Sequence, residues 1–357
     1  MATGLAAMIG ERQRPSYLGK AALAALCLAV IVGAPGQGHV AAGVDRPSGV
    51  AFVQLTTGRC CPNPFFSPDG ARVMFLDRPA PDAPAGIWSV AVDQPLSAPA
   101  LFARRPGPFS RDLALAADLV GGQTIVERLR DGARWVIPNG GRPIAFSPDG
   151  RYVVWSVAQG IANFDIRRVE IWLANADGSG ARRVAVRFGG GFAGWMPDGR
   201  GLLLSGRRSP QAPQAELTLL DIAQGGERTL LFYERLLGPS ASPNGRWLAY
   251  IVTQARENGV FVLSLTRPSA TPQRLDFFGA YRWRDGDRLL YVPMAPGAAG
   301  DELWQLDLAR GQKQQLIRAE AGSPFKIANN DWAVSPDGSQ LVFLSARDRN
   351  LWLVKLP

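Results

Sequence analysis

The sequence predicts an all-β fold built of repeated units, and two observations carry that prediction. A short turn signal returns along the chain at a blade-like spacing, and strand-like runs follow each copy in the same order. The fullest copy is Phe146-Ser147-Pro148-Asp149-Gly150, followed by Arg151-Tyr152-Val153-Val154-Trp155-Ser156. Pro148 presets φ for the turn, Asp149 can bond its own backbone, and Gly150 accepts positive φ. The apolar, β-branched and aromatic run after it suits a buried strand. With Gly 40 and Pro 28 among 357 residues, the composition fits many short strands joined by tight turns.

Pro-Asp-Gly or Pro-Asn-Gly begins at Pro68, Pro148, Pro197, Pro243 and Pro336. Weaker copies fill the gaps at Phe109-Ser110-Arg111-Asp112 and Trp283-Arg284-Asp285-Gly286. The seven copies open at Phe66, Phe109, Phe146, Trp195, Ala241, Trp283 and Val334, spaced 37 to 51 residues apart. That is about the period of four-stranded propeller blades. The predicted fold is a seven-bladed β-propeller of four-stranded antiparallel blades spanning residues 50–357. Third strands are expected at 87–92, 124–129, 170–174, 217–222, 260–265, 303–308 and 351–356. Fourth strands are expected at 100–103, 134–137, 182–186, 229–232, 273–276 and 314–317. The last copy ends after its third strand, while residues 50–55 form an orphan strand. Pairing the two closes the ring and removes an open sheet edge.

Ahead of the repeats, Arg12, Arg14 and Lys20 precede an apolar run at 21–34 that Pro35 and Gly36 end. Fourteen residues is short for a membrane span and fits a secretory signal, with small residues for cleavage before Gly43. Residues 1–42 are expected to be a signal peptide or signal anchor, and 43–49 a linker. The protein is then exported: periplasmic, extracellular, or anchored on the outer side of the cytoplasmic membrane. Any membrane contact is expected only through an uncleaved N-terminal segment. Export leaves two adjacent cysteines, Cys60 and Cys61, which an oxidising compartment could join as a vicinal disulfide or leave as two thiols.

Repeated (Phe/Trp)-Ser-Pro-Asp-Gly, an apolar strand, and then Ile171-Trp172-Leu173-Ala174-Asn175-Ala176-Asp177-Gly178 resembles the TolB-like (WD40-like) propeller repeat of exported bacterial proteins. The resemblance covers about residues 50–357 and implies a fold rather than an activity. TolB itself carries an α/β domain ahead of its propeller. Here only about seven residues separate the expected signal from the first strand, so that domain is not expected.

Chemistry is sparse. The one histidine, His39, lies in the segment expected to be removed, which argues against Ser-His-Asp and Cys-His sites and the commonest zinc ligand. There is no Gly-x-Ser-x-Gly elbow and no phosphate-binding glycine loop. Asp69, Asp149, Asp198 and Asp337 sit in the repeated turns, where a structural role suffices. Trp88, Trp172, Trp304 and Trp352 recur at one blade position and are read as packing between blades. No enzyme activity, cofactor or bound metal is expected, although calcium, which needs only oxygen ligands, stays open.

Net charge is +9, but the basic residues are scattered and no nucleic-acid motif appears, so nucleic acid is not an expected partner. By analogy with other propellers, binding is expected on the face that bears the second-to-third and blade-to-blade loops. Arg59, Arg104, Arg105, Arg142, Arg207, Tyr233, Tyr281 and Asn329 lie in or beside those loops, with Arg208, Arg235 and Phe164. Arginine with exposed aromatics is the composition of a binding surface. The expected function is a monomeric, non-catalytic scaffold for a protein, peptide or cell-envelope partner. The alternative is a calcium-dependent or small-ligand-binding propeller, a lactonase-like or glycan-acting enzyme or sensor.

Overall fold

The computed structural model describes residues 50–160, 163, 166–253, 257–267 and 270–357. The expected signal at 1–42, with His39, the linker at 43–49, and Phe164 lie outside the described residues. In chain order, β1 (Phe52–Gln54) precedes β2 (Phe65–Phe66), β3 (Arg72–Asp77), β4 (Gly86–Ala91) and β5 (Ala100–Ala103). Next come β6 (Leu115–Val120), β7 (Gln123–Arg128), β8 (Arg134–Ile137), β9 (Ala145–Phe146), β10 (Tyr152–Gln159) and β11 (Arg168–Asn175). The middle of the chain forms β12 (Arg182–Trp195), β13 (Gly201–Arg207), β14 (Ala215–Asp221), β15 (Glu227–Tyr233) and β16 (Leu236–Ala241). Then follow β17 (Trp247–Val252), β18 (Gly259–Ser264), β19 (Gln273–Arg274), β20 (Gly279–Trp283) and β21 (Arg288–Pro293). The chain finishes with β22 (Leu303–Asp307), β23 (Gln312–Ile317), β24 (Ile327–Val334), β25 (Gln340–Ser345) and β26 (Leu351–Lys355).

Among the described residues there is no α-helix. The strands make a propeller-like set of antiparallel sheets, five of three or four strands and one of seven. Expected strand positions agree closely; the fourth strands at 100–103 and 134–137 are met residue for residue by β5 and β8. The orphan N-terminal strand pairs as expected: Phe52, Val53 and Gln54 of β1 face Val354, Leu353 and Trp352 of β26.

Two departures have local causes. A break was expected between a fourth strand at 182–186 and a new blade opening at Trp195. Instead β12 runs unbroken and joins β9–β11 to β13–β15 in one seven-stranded sheet. Its run Phe188-Gly189-Gly190-Gly191-Phe192 holds no proline, and register shifts fall at Phe188/Gly191 and Phe192/Gly194. Glycine lets the strand bulge and bend without breaking the ladder. A Cβ on Gly190 would sit 2.1 Å from Ser205 O, so only glycine allows β12 and β13 this close. The second departure is β6–β8, whose expected inner strand shrinks to one bridge between Phe109 and Ala116. That copy of the turn carries Arg111 where five of the other six have proline.

Most of the turns close the same way. Ser67, Ser147 and Ser335 are buried and donate their hydroxyls to Asp69, Asp149 and Asp337 at 2.6, 2.5 and 2.6 Å. The same serines accept the N–H of the residue that starts the next strand. Asp198 accepts the Arg200 N–H at 2.9 Å, with Met196 in the serine position. The serine bonds tie their turns to the first residue of the strand that follows.

Central strands carry apolar residues on both faces because sheets pack face to face. Val73, Met74 and Phe75 of β3 are all buried. Leu55, Phe66, Phe75, Val342, Leu344 and Leu353 share one cluster that joins the β1/β24–β26 sheet to the β2–β5 sheet. Trp172 stacks on Trp155 at 6.2 Å and Trp304 on Tyr291 at 6.4 Å. All four recurring tryptophans are half-buried against such clusters.

Candidate functional site

Antiparallel order places the first-to-second and third-to-fourth strand turns at one edge of each sheet. The second-to-third loops and the sheet-to-sheet connections lie at the other, here called the loop face. At the turn edge the carboxylates are occupied. Asp337 is held down to about 2 by hydrogen bonds from Ser335 and Ser339, and hydrogen bonding from Ser67 lowers Asp69.

At the loop face the singled-out residues divide. Arg59 and Arg104 are exposed, and their guanidinium groups have no partner among the described residues. Arg59 is pinned by its backbone, with φ at 62° and its N–H donated to Asn350 Oδ1 at 3.2 Å. Asn329 is exposed at the edge of β24 with φ at 53°. Others are turned inward. Arg142 donates to Asn139 O at 2.6 Å, while its own carbonyl accepts Thr124 Oγ1 and Asn139 Nδ2, both at 2.7 Å. It therefore holds the β8–β9 connection together. Arg105 pairs with Asp118 at 3.4 Å and Glu127 at 3.5 Å. Arg207 is half-buried at the end of β13, opposite Phe188.

The two tyrosines were expected to be exposed, and neither is. Tyr281 is 8% exposed and donates its hydroxyl to Gly238 O at 3.0 Å across neighbouring sheets. Burial pushes that hydroxyl far above its ordinary range. Tyr233 is half-buried and accepts the Gly206 N–H at 3.0 Å, and burial raises its pKa as well. Both sit on strands whose inward side faces another sheet, which loop proximity in sequence does not reveal.

Apolar residues missed in the sequence take their place. Leu237, Phe278 and Met294 are 40%, 38% and 46% exposed, large values for such side chains. Phe278 and Met294 are tied by the Met294 N–H to Phe278 O at 2.8 Å. Leu237 precedes Gly238, the acceptor for Tyr281, so all three lie where the β16 and β20–β21 sheets meet on the loop face. The available signal was the Phe277-Phe278 doublet just before Gly279, with only one ring expected inside.

Charged networks stiffen the seven-stranded sheet. Glu170 accepts from Arg168 at 2.6 Å, and from Trp172 Nε1 and Arg183 at 3.0 Å; these bonds, the Arg168 one foremost, hold it down to about 2. Buried Arg187 donates to Thr218 Oγ1 and Glu227 Oε2, both at 2.8 Å. Arg208 bridges Glu227 and Glu216. Each of these acids is paired with arginine.

The connection from β1 to β2 holds the adjacent Cys60 and Cys61, whose sulfurs lie side by side. Cys61 is fully buried and Cys60 half-buried. Asp77, at the end of β3, brings a carboxylate oxygen within 4.8 Å of both sulfurs. No group of three carboxylates comes together in this way among the described residues.

No protein-family model matches the sequence, and no curated protein matches it. Among solved structures the chain is similar to an oligogalacturonate lyase in complex with manganese. That match has a TM-score of 0.59 and 14% identity, covering 86% of this chain and 96% of that one. It is also similar to dipeptidyl peptidase 4 from Porphyromonas gingivalis, with a TM-score of 0.51 and 8% identity, covering 79% of this chain and 48% of that one. TolB from Acinetobacter baumannii is a further neighbour, with a TM-score of 0.40 and 15% identity, covering 65% of this chain and 59% of that one. At these identities the likeness is one of fold. The chain is a β-propeller, and its solved neighbours include TolB proteins.

Proposed function

We propose that the chain is an exported, non-catalytic propeller that binds a protein or peptide partner of the cell envelope on its loop face. The fold is counted as seven blades, with β12 shared by two of them, the Phe109 bridge completing β6–β8, and β1 closing the last. The observation that carries the reading is the make-up of the loop face. Exposed Leu237, Phe278 and Met294 are accompanied on it by the unpaired guanidinium groups of Arg59 and Arg104. Apolar residues among arginines are what protein interfaces use, the first for burial and the second for directional hydrogen bonds. Absence of histidine after His39 and the arginine-paired state of the buried acids support a binding role over a catalytic one. Export rests on the N-terminal pattern and the repeat. The chain is taken as monomeric and without affinity for nucleic acid.

Capture from an envelope extract tests this. The wild-type chain is compared with Arg59→Glu/Arg104→Glu/Phe278→Ser on the loop face and with Arg200→Glu at the turn edge, all shown folded by melting. The proposal expects the loop-face variant to lose a captured partner that Arg200→Glu keeps. Equal capture by all three counts against it.

A further inference from the structure

The β1–β2 connection has a backbone that sequence propensity does not favour. Gly58, Arg59, Cys61 and Asn63 have φ of 92°, 62°, 95° and 55°, so three non-glycine residues within five occupy the left-handed half of the map. Such conformations persist where the surroundings impose them, and they cluster at functional sites. Here they are imposed from both sides: Arg59 N–H is held by Asn350, and Pro62 O accepts the Leu76 N–H at 3.1 Å. The effect is to present two sulfurs to the end of β3.

Around those sulfurs the donors converge. Thr56 Oγ1 lies 3.3 Å from Cys60 Sγ and 3.7 Å from Cys61 Sγ, while it accepts the Leu351 N–H at 2.9 Å. The Asp77 carboxylate completes the group within 4.8 Å. Asp77 is half-buried and accepts the backbone N–H of Arg78 at 2.7 Å. The Arg78 guanidinium is turned away onto Pro81 O and Ala83 O, so no cationic side chain pairs with this acid among the described residues. Two sulfurs and an unneutralised carboxylate around one point form a donor set for a soft divalent cation.

We propose that Cys60, Cys61 and Asp77 form a redox-gated site for a thiophilic divalent cation of the zinc and cadmium class. The disulfide is the closed form. A dithiol reductant opens it: one reductant thiolate attacks a cysteine sulfur, the Cys60–Cys61 bond breaks, and a mixed disulfide forms. The second reductant thiol then displaces the remaining cysteine. Two electrons leave the dithiol, which departs as its own disulfide, and each cysteine sulfur ends with a proton. Metal binding displaces both protons to solvent and puts the two thiolates and the Asp77 carboxylate on the cation, with water or the Thr56 hydroxyl as fourth ligand.

The test uses the chain with Cys27→Ser, so that Cys60 and Cys61 are its two cysteines, reduced with dithiothreitol, desalted without air, and titrated with Cd²⁺. Binding is read by the ultraviolet thiolate-to-cadmium absorption. One equivalent is expected to saturate the reduced protein, and the disulfide form is expected to give no band. Cys60→Ser, chosen because Cys61 is in the core, is expected to stay folded by melting and to lose most of the band. Asp77→Asn is expected to keep the band and weaken the affinity about tenfold. A missing band in the reduced chain overturns the proposal. So does an equal band in the disulfide form or in Cys60→Ser, or an unchanged affinity in Asp77→Asn.

Discussion

Leu55→Ala tests the closure of the propeller at its seam. Leu55 is fully buried in the cluster between the first and last sheets, and its N–H donates to Leu351 O at 2.8 Å. Its carbonyl accepts the Leu96 N–H at 3.1 Å, so the backbone around it is fixed and can follow a shrunken side chain only in part. Leucine-to-alanine changes in such sites cost about 2–5 kcal/mol, more where the cavity cannot collapse. With walls from two sheets we expect about 3–4 kcal/mol, or a fall in melting temperature of roughly 5–6 °C for a domain of about 300 residues. Gln54→Ala is the control. Gln54 is half-buried and donates only to Thr56 O at 2.8 Å, so its loss should cost no more than about 1 kcal/mol. Hydrogen exchange should also quicken along β26 in Leu55→Ala. Melting within about 2 °C of Gln54→Ala, with β26 equally protected, would refute the argument that the residues beside β1 lock the first and last sheets together.

Other outcomes follow from the same contacts. Glu170 has its folded pKa lowered from 4.5 to about 2, so its stabilising contribution is full above 4.5 and is lost as pH falls towards 2. The melting gap between wild type and Glu170→Gln should accordingly be wide at neutral pH, narrow below 4.5 and vanish near 2; a constant gap contradicts it. Tyr281→Phe should cost about 1 kcal/mol by melting through loss of the Gly238 bond, yet leave partner capture intact, because the ring is buried. Gly190→Ala should destabilise by more than about 2 kcal/mol, since its Cβ would overlap Ser205 O; wild-type melting would mean that β12 does not approach β13 as described. Calcium and EDTA should leave the melting temperature unchanged, as no carboxylate cluster gathers among the described residues.

What was legible in the sequence was local or repeated. The Ser-Pro-Asp-Gly turns encode their own hydrogen bonds within five residues, so their count and strand order could be read directly. Pairing β1 with β26 followed from arithmetic, because one orphan strand and one incomplete copy remained. Long-range packing was not legible. A break was expected between residue 186 and Trp195, where the glycine run sits, but a neighbouring strand turns it into a continuous bent ladder. Tyr281 and Tyr233 flank loops in sequence while their rings point between sheets. Arg142 looked free, yet it curls onto Asn139 within its own connection. Asp77 had no reason to be linked to Cys60 and Cys61 until the strand before it and the β1–β2 connection were brought together in space.

The central claim is that the loop face, and not the turn edge, meets the partner. Hydrogen exchange on the wild-type chain, alone and with the captured partner, tests it most directly. The account predicts new protection at the β1–β2 connection, at residues 104–105, and around Leu237, Phe278 and Met294, with the Asp149, Asp198 and Asp337 turns unchanged. Protection confined to those turns, with the loop face unaltered, would contradict it.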